Sequence, residues 1–119
     1  MSYDVHPEYK QFFQVFVPKE YGAGISIEEK LDFEPQQLIT RVEEEAGQRT
    51  HRIYQTIKAT SAAPKVAQNI DIGEGDPVII AKRIWYTIND DILELVFSYI
   101  PLRHFQFESN LIRLDKRGD

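Results

Sequence analysis

The chain has 119 residues, of which 42% are hydrophobic and 28% charged, and its formal net charge is −5. This length and composition are typical of one globular domain with a single core. The acidic balance argues against direct nucleic-acid binding by this chain, because such binding normally leaves a basic surface. Cysteine is absent, which excludes disulfides, thiolate zinc sites and cysteine nucleophiles and fits a reducing cytoplasm.

The N-terminal ten residues have neither the basic nor the apolar region of a signal peptide. No apolar run in the sequence approaches the roughly 18 residues of a membrane-spanning helix. A small basic cluster near the C-terminus, Arg113, Lys116 and Arg117, is interpreted as a solvated tail. We therefore expect no membrane partner.

The first predicted strand covers residues 11–17, which are rich in β-forming side chains and end at Pro18. Residues 19–33 contain two glycines and no sustained hydrophobic period. They predict a loop with one short helical turn around residues 26–30.

A helix is predicted to begin at Pro35, with Glu34 at the N-cap position, and to end before Gly47. Its apolar residues recur at helical spacing along one face: Leu38, Ile39, Val42 and Ala46. The acidic run at residues 43–45 lies on the opposite face and is interpreted as a solvated surface.

Residues 51–59 alternate in hydrophobicity and predict a second strand. Ser61 then offers an N-cap to a short predicted helix over residues 62–69. Its inward side is formed by three apolar residues, Val66, Ala67 and Ile70.

The centre of the chain is a long predicted hairpin, with strands over residues 77–88 and 92–100 and a turn at residues 89–91. Both of its faces are largely apolar, so both should be covered. A turn centred near residue 90 would place Glu94 near Tyr86, and Arg83 near residues 97 and 98. A final strand is predicted over residues 105–114.

These elements predict an α+β fold with a mainly antiparallel sheet of about five strands and two helices. The sequence contains no nucleophile motif and no phosphate-binding glycine loop. Its three histidines are far apart and lack metal-ligand spacing. We therefore predict no catalytic residue, no metal site and no cofactor.

The candidate site is a binding site on the hairpin. Arg83 and Glu94 are charged residues within strands otherwise filled with apolar side chains, and each needs a partner if it is buried. A structural ion pair, exposure at a sheet edge and a ligand site all remain open. A weaker candidate is the helix start at Gln36 and Gln37, where backbone N–H groups favour anions.

Several segments, in order, resemble the UTRA domain, the effector-binding half of bacterial GntR-type regulators of the HutC subfamily. They are FVPKEY, LITRVEEEAG, QTIKA, GEGDPVIIAKRIWY and LELVFSYIPLRHFQF, which together span about residues 11–114. Arg83 falls at the family's arginine, and Glu94 and Ser98 are in register with its final motif.

The resemblance implies a chorismate lyase-like fold, dimerisation through the sheet domain and a pocket for a small, acidic or sugar-derived effector. Carried over by position, Glu94 is the main ligand contact, supported by Ser98 and Arg83. The helix start at Gln36 and Gln37 corresponds to the family's ligand-anchoring turn. Tyr86 is included as a neighbour of Glu94.

The chain also departs from the family pattern. We expect it to lack a winged-helix DNA-binding module and the first part of the UTRA domain, with its paired arginines. Arg103 stands where the family has an acidic residue, and Phe13 where a glutamate is expected. We therefore expect residues 1–119 to form one effector-binding domain that is truncated at its N-terminal side. It is either a fragment or a short relative that completes its sheet as a homodimer.

Two other functions remain open at this stage. The shared fold also permits a small chorismate lyase-like enzyme, in which Arg83 and Glu94 would face a cyclic carboxylate substrate. The missing arginines instead favour a structural dimerisation remnant that binds no ligand.

Overall fold

The computed structural model describes residues 2–5, 11–25 and 35–113, with side chains described for residues 11–25 and 37–113. One sheet organises the chain, and its five strands are β1 (Ser2–Val5), β2 (Phe12–Phe16), β3 (Arg52–Ser61), β4 (Pro77–Tyr86) and β5 (Ile92–Pro101). Their order is β1-β2-β5-β4-β3, and each neighbouring pair is antiparallel. The predicted α+β class with an antiparallel sheet is confirmed.

In the described ranges, three helices accompany the sheet: α1 (Lys19–Gly22), α2 (Pro35–Ala46) and α3 (Pro64–Ile70). A 3-10 turn, Leu102–His104, follows β5. The predicted bounds of α2 are confirmed, and Gly47 after it has a φ of +62°. That left-handed conformation ends the helix and favours glycine.

The start of α3 differs from the prediction. Ser61 is not the N-cap but the last residue of β3, where it pairs with Pro77. The N-cap is Ala63, which makes no side-chain capping bond, and Pro64 is the first helical residue. Proline at this position is already in a helical φ and has no N–H to leave unpaired, so the helix can begin without a hydroxyl cap. The predicted inward residues of α3 are buried.

Helix α2 covers one face of the sheet, called here the α2 face. Side chains that pair directly across antiparallel strands lie on the same face, and on this face they include Trp85, Val96 and Val15. They pack in one buried cluster with Leu38 and other residues, namely Ile39, Val42, Val17, Ile25 and Leu93. The apolar stripe predicted for α2 is therefore its core-facing side.

Helix α3 covers part of the opposite face, called here the α3 face. Phe12 on β2 and Val78 on β4 point to this side. They form a second buried cluster with four residues of α3 and its flanks, Ala62, Val66, Ala67 and Ile70. The expectation that both faces of the hairpin are covered is thus met by two helices on opposite sides.

Helix α1 is tied to α2 by a close contact at Gly24. The Arg41 guanidinium donates a hydrogen bond to the Gly24 carbonyl oxygen, 3.2 Å away, and also pairs with Glu45. A Cβ atom added at Gly24 would lie 2.0 Å from a Glu45 carboxylate oxygen. A side chain at position 24 would therefore require the Glu45 carboxylate to move.

Two strand predictions at the chain ends are wrong. Residues 105–113, predicted as a strand, form no strand, and they leave the sheet after the 3-10 turn. Conversely, β1 was not predicted, although it pairs with β2 from Ser2↔Phe16 to Val5↔Phe13. The helical turn predicted at residues 26–30 and the N-cap role of Glu34 lie outside the described residues.

Within the described parts of the chain, no helix is long and apolar enough to cross a membrane.

Candidate functional site

The register of the central hairpin decides which side chains share a site. Trp85 pairs with Glu94, but the next residue, Tyr86, pairs with Ile92, so Leu93 is an extra residue in β5. This β-bulge changes the register by one residue between the turn and the rest of the hairpin. Tyr86 thus pairs two residues away from the predicted Glu94, and Arg83 lies opposite Val96 rather than near residues 97 and 98.

Glu94 is the most unusual residue of the fold. It lies on the α2 face opposite Trp85, and its relative exposure is 0%. Neither carboxyl oxygen has a hydrogen-bond partner within the described residues. A buried polar atom without a partner typically costs about 1–3 kcal/mol, so Glu94 destabilises the fold unless something else satisfies it.

Burial also changes the charge state of Glu94. Desolvation raises the pKa of this carboxyl from 4.5 to about 9, because an apolar environment penalises the ionised form. At neutral pH the group is therefore a neutral carboxylic acid. In this form it offers one O–H donor as well as acceptor oxygen atoms.

Arg83 lies on the same face, toward the edge of the sheet. Its guanidinium donates hydrogen bonds to Gln55 Oε1 on β3, one of them 2.9 Å from Nε. It also lies 5.7 Å from the centroid of the Trp85 ring. Guanidinium has five N–H donors, so binding Gln55 leaves donors for an acidic group.

Arg83 on β4 and two other candidates on β5, Glu94 and Ser98, all lie on the α2 face. Ser98 pairs with Ala81, two positions along β4 from Arg83, and it is half-buried. Arg83 is thus the diagonal neighbour of both Glu94 and Ser98, and the Cα atoms of such neighbours lie about 7–8 Å apart. Ser98 is four positions after Glu94, or about 13 Å along the strand.

The structure does not bring Tyr86 to this group. Pairing places Tyr86 on the α3 face, where the Arg52 guanidinium lies 4.0 Å from its ring centroid. Arg52 also donates a hydrogen bond of 3.0 Å to Asp90, and this bond raises the pKa of the guanidinium above its usual value. This arrangement fastens the start of β3 to the hairpin turn.

The helix start is described only in part. Gln37 lies in the first turn of α2 and is exposed, whereas the side chain of Gln36 is outside the described residues. Because α2 packs on the α2 face, Gln37 is on the same side of the sheet as Glu94.

Two surface clefts lie away from the predicted residues. One, of about 570 Å³, surrounds the C-terminal end of α2 and is lined by Thr40, Glu43, Glu44, Gly47, Gln48, Arg49 and Thr50. The other, of about 320 Å³, lies beside the 3-10 turn and is lined by Ile72, Asp76, Pro77, Pro101, Leu102 and Arg103. Neither cleft reaches Glu94 or Arg83. In the described ranges, no three His, Asp or Glu residues group as metal ligands would.

Two residues of the site were missed by the sequence analysis. Gln55 bonds Arg83, and Trp85 lies beside both Arg83 and Glu94. Strand alternation places Gln55 on the same face as Ile53 and Ile57, but only the β3–β4 register sets it opposite Arg83. The sequence carries no signal for that register, because the two strands are joined through α3.

Comparison with protein families gives one match that covers most of the chain. The model of the UTRA domain matches residues 8–106. No curated protein sequence matches the chain.

Solved structures of regulator domains share the fold. The ligand-binding domain of a GntR-family regulator from Bordetella bronchiseptica has a TM-score of 0.69 at 22% identity, covering 86% of this chain and 62% of that domain. A GntR-family regulator from Enterococcus faecalis gives 0.71 at 20% identity, covering 85% and 70%. The effector domain of PhnF from Mycobacterium smegmatis gives 0.69 at 17% identity, covering 87% and 61%. The present chain is therefore shorter than each of them.

Proposed function

The chain belongs to the UTRA domain family, and we propose that it is the small-molecule sensor of a GntR-type transcription regulator of the HutC subfamily, with a chorismate lyase-like fold. Two of the similar structures are described as a ligand-binding domain and an effector domain. The chain spans only about three fifths of either, so the activity of a whole regulator remains part of the proposal.

The observation that carries the proposal is the buried carboxyl of Glu94. A protein of this size has only about 5–15 kcal/mol of net stability, so an unsatisfied buried acid is a substantial cost. Such perturbed groups occur preferentially at functional sites. A ligand that supplies the missing hydrogen bonds would turn this cost into binding energy.

The neighbours of Glu94 indicate the class of ligand. Arg83 provides a cation on the α2 face and favours an acid group, for which guanidinium is well suited. The neutral Glu94 carboxyl can both donate to and accept from a hydroxyl or amine. We therefore propose a small acidic, hydroxyl- or amine-bearing metabolite, with Ser98 and the α2 start at Gln36 and Gln37 as further contacts.

The proposed mechanism is a shift between dimer geometries. An effector that binds one geometry better than another increases its population, and this sets the spacing of attached DNA-binding modules in the cytoplasm. DNA contact would come from such a module in a partner or parent protein, because this chain carries a net charge of −5.

The first test is a thermal-shift screen of the 119-residue chain against small acidic metabolites and sugar phosphates. We expect one compound class to raise the melting temperature, and Glu94→Ala to abolish the shift. Glu44→Ala is the matched control, because Glu44 is an exposed acid on α2, and its shift should equal that of the wild type. A shift that survives Glu94→Ala contradicts this site.

The same screen separates the other two functions. Consumption of a chorismate-like cyclic carboxylate, lost in Glu94→Ala, would support the enzyme instead. A well-folded dimer that responds to no compound would support a structural remnant without a ligand.

A further inference from the structure

Arg83 and Glu94 lie within reach of each other on the α2 face, yet they form no ion pair. They are diagonal neighbours on adjacent strands, and long side chains of opposite charge can meet across such a diagonal. Both Glu94 oxygens nevertheless lack a hydrogen-bond partner in the described part of the chain. Desolvation raises the pKa of Glu94, and Arg83 contributes nothing that would lower it. The two groups are therefore held apart.

The residue that holds Arg83 is Gln55. It lies directly opposite Arg83 on β3, whereas Glu94 lies on β5, on the other side of β4. Gln55 Oε1 accepts hydrogen bonds from Arg83 Nε, 2.9 Å away, and from Nη2. These two nitrogens form one edge of the planar guanidinium, so a single acceptor fixes the direction of the whole group. The guanidinium is thereby drawn toward β3 and away from Glu94.

Gln55 suits this role because its side chain is a neutral acceptor. A carboxylate at this position would hold Arg83 as firmly but would cancel its charge, and an apolar side chain would not hold it. With the amide oxygen as its partner, Arg83 forms no ion pair within the described ranges. It also keeps a second edge of N–H groups. The α2 face therefore retains an available cation beside an unsatisfied acid.

Among the described residues, Arg83 is the charged side chain that can compete for Glu94 on this face. The other side chains here are uncharged and include Leu38, Ile39 and Val42 of α2, Phe13 and Val15 of β2, Tyr21 of α1, Ile53 and Ile57 of β3 and Trp85 of β4. The charged side chains of α2 are engaged elsewhere, since Arg41 pairs with Glu44 and Glu45, and Glu43 accepts a hydrogen bond from a backbone amide. The position of Arg83 thus decides whether Glu94 has an internal partner.

We propose that Gln55 is a positioning residue that keeps Arg83 from pairing with Glu94, so that both groups remain available to an acidic, hydroxyl- or amine-bearing effector. Without Gln55, Arg83 would reach across to β5 and pair with Glu94, which would close the site from within. A nearby opposite charge favours the ionised carboxyl, so the pair would also remove the proton from Glu94. The role in effector recognition rests on the proposed function, but the effect on Glu94 does not.

The first test follows the charge state of Glu94 by urea unfolding from pH 5 to pH 8. In the wild type, the unfolding equilibrium constant should rise about tenfold per pH unit, because only the unfolded state releases the Glu94 proton. Gln55→Leu should largely remove this dependence, since Glu94 would be ionised in both states. Gln55 is exposed on an edge strand, so this variant should fold. Gln106→Leu, which replaces another exposed glutamine, is the control and should keep the wild-type dependence.

Two further variants separate ion pairing from an indirect effect of the substitution. Adding Arg83→Met to Gln55→Leu removes the cation, so the pH dependence should return. Gln55→Glu should keep the dependence, because its carboxylate still holds Arg83 on β3 and is itself ionised above about pH 5. The proposal is overturned if Gln55→Leu behaves as the wild type, if the wild type lacks the dependence, or if the double variant stays flat.

The thermal-shift screen tests the link to the effector, with its small carboxylic acids and sugar phosphates as the probes. For a compound that acts through Glu94, Gln55→Leu and Gln55→Glu should each weaken binding by about tenfold or more. The first variant closes the site, and the second cancels the charge of Arg83.

The outcomes also distinguish this inference from the sensor function. If the pH results hold while no compound shifts the melting temperature, the restraint on Arg83 stands and the sensor function falls. If a compound acts through Glu94 but binds Gln55→Leu as tightly as the wild type, the sensor function stands and the role of Gln55 in recognition fails.

Discussion

Each face of the sheet packs against a helix, but the polar groups on the two faces differ in whether they have hydrogen-bond partners. On the α3 face, the Tyr99 hydroxyl donates a hydrogen bond of 2.9 Å to Gln14 Oε1, and its ring lies 5.6 Å from that of Phe12. On the α2 face, Glu94 is fully buried with no partner among the described residues. The polar pair on the first face stabilises the fold, whereas the second face keeps a destabilising buried carboxyl.

Phe12→Ala should have the largest effect on stability. Phe12 is fully buried in the α3-face cluster, and removing such a ring costs about 3–5 kcal/mol through lost burial and the cavity that remains. Urea unfolding would measure this loss. If effector binding depends only on the α2 face, the fraction of the variant that remains folded should still show the effector-dependent rise in melting temperature. Loss of the response in folded protein would show that the faces are not separate in function.

Glu94→Gln tests the α2 face through pH. The folded-state pKa of Glu94 is about 9, above its unfolded value, so folding is favoured most below about pH 4.5. As pH rises toward 9, the unfolded state gains by ionising while the folded state does not, and stability falls by about 1.4 kcal/mol per pH unit. At pH 7 the loss amounts to about 3 kcal/mol.

The glutamine variant should lack this dependence and be more stable than the wild type at pH 7. Urea unfolding from pH 5 to pH 8 measures both slopes, with Glu44→Gln as the exposed control that keeps the wild-type slope. Equal slopes for Glu94→Gln and the wild type would mean that Glu94 is ionised in the folded protein, and the contrast between the faces would disappear.

Tyr99→Phe should have the smallest effect. It removes the hydroxyl that bonds Gln14 but keeps the ring, and one such hydrogen bond contributes about 1 kcal/mol. The variant should unfold at a slightly lower urea concentration and bind the effector as the wild type does. A change in binding as large as that of Glu94→Ala would place the ligand across both faces.

The elements that local sequence determines were predictable. The apolar stripe of α2 and Gly47 after it fix that helix, and alternation together with Asp90, whose φ is +64°, fixes the hairpin and its turn. Glu94 and Arg83 could be singled out as charges within apolar strands. Their presence on one face follows from the pleat of the sheet once the register is known.

The remaining errors have a common origin in pairing between distant segments. Residues 105–114 have the pattern of a strand, but the described part of this segment pairs with no strand of the sheet. β1 forms because β2 offers it an edge, which the four residues Ser2–Val5 do not reveal by themselves. The register errors, of two residues at Tyr86 and one at Arg83, arise because alternation alone fixes neither the length of the turn nor the bulge at Leu93, which packs in one cluster with Trp85.

The bulge at Leu93 restricts how this hairpin can change during evolution. The turn residues Ile88, Asn89 and Asp90 are exposed, so their side chains are open to substitution. The number of residues between Trp85 and Glu94, in contrast, is constrained, because a slip of one residue turns every following side chain to the other face. A single deletion there would carry the Glu94 carboxyl away from α2, even if no buried residue were replaced. Related sequences that keep a carboxyl on the α2 face should therefore vary in the residue types of this turn but hardly at all in its length.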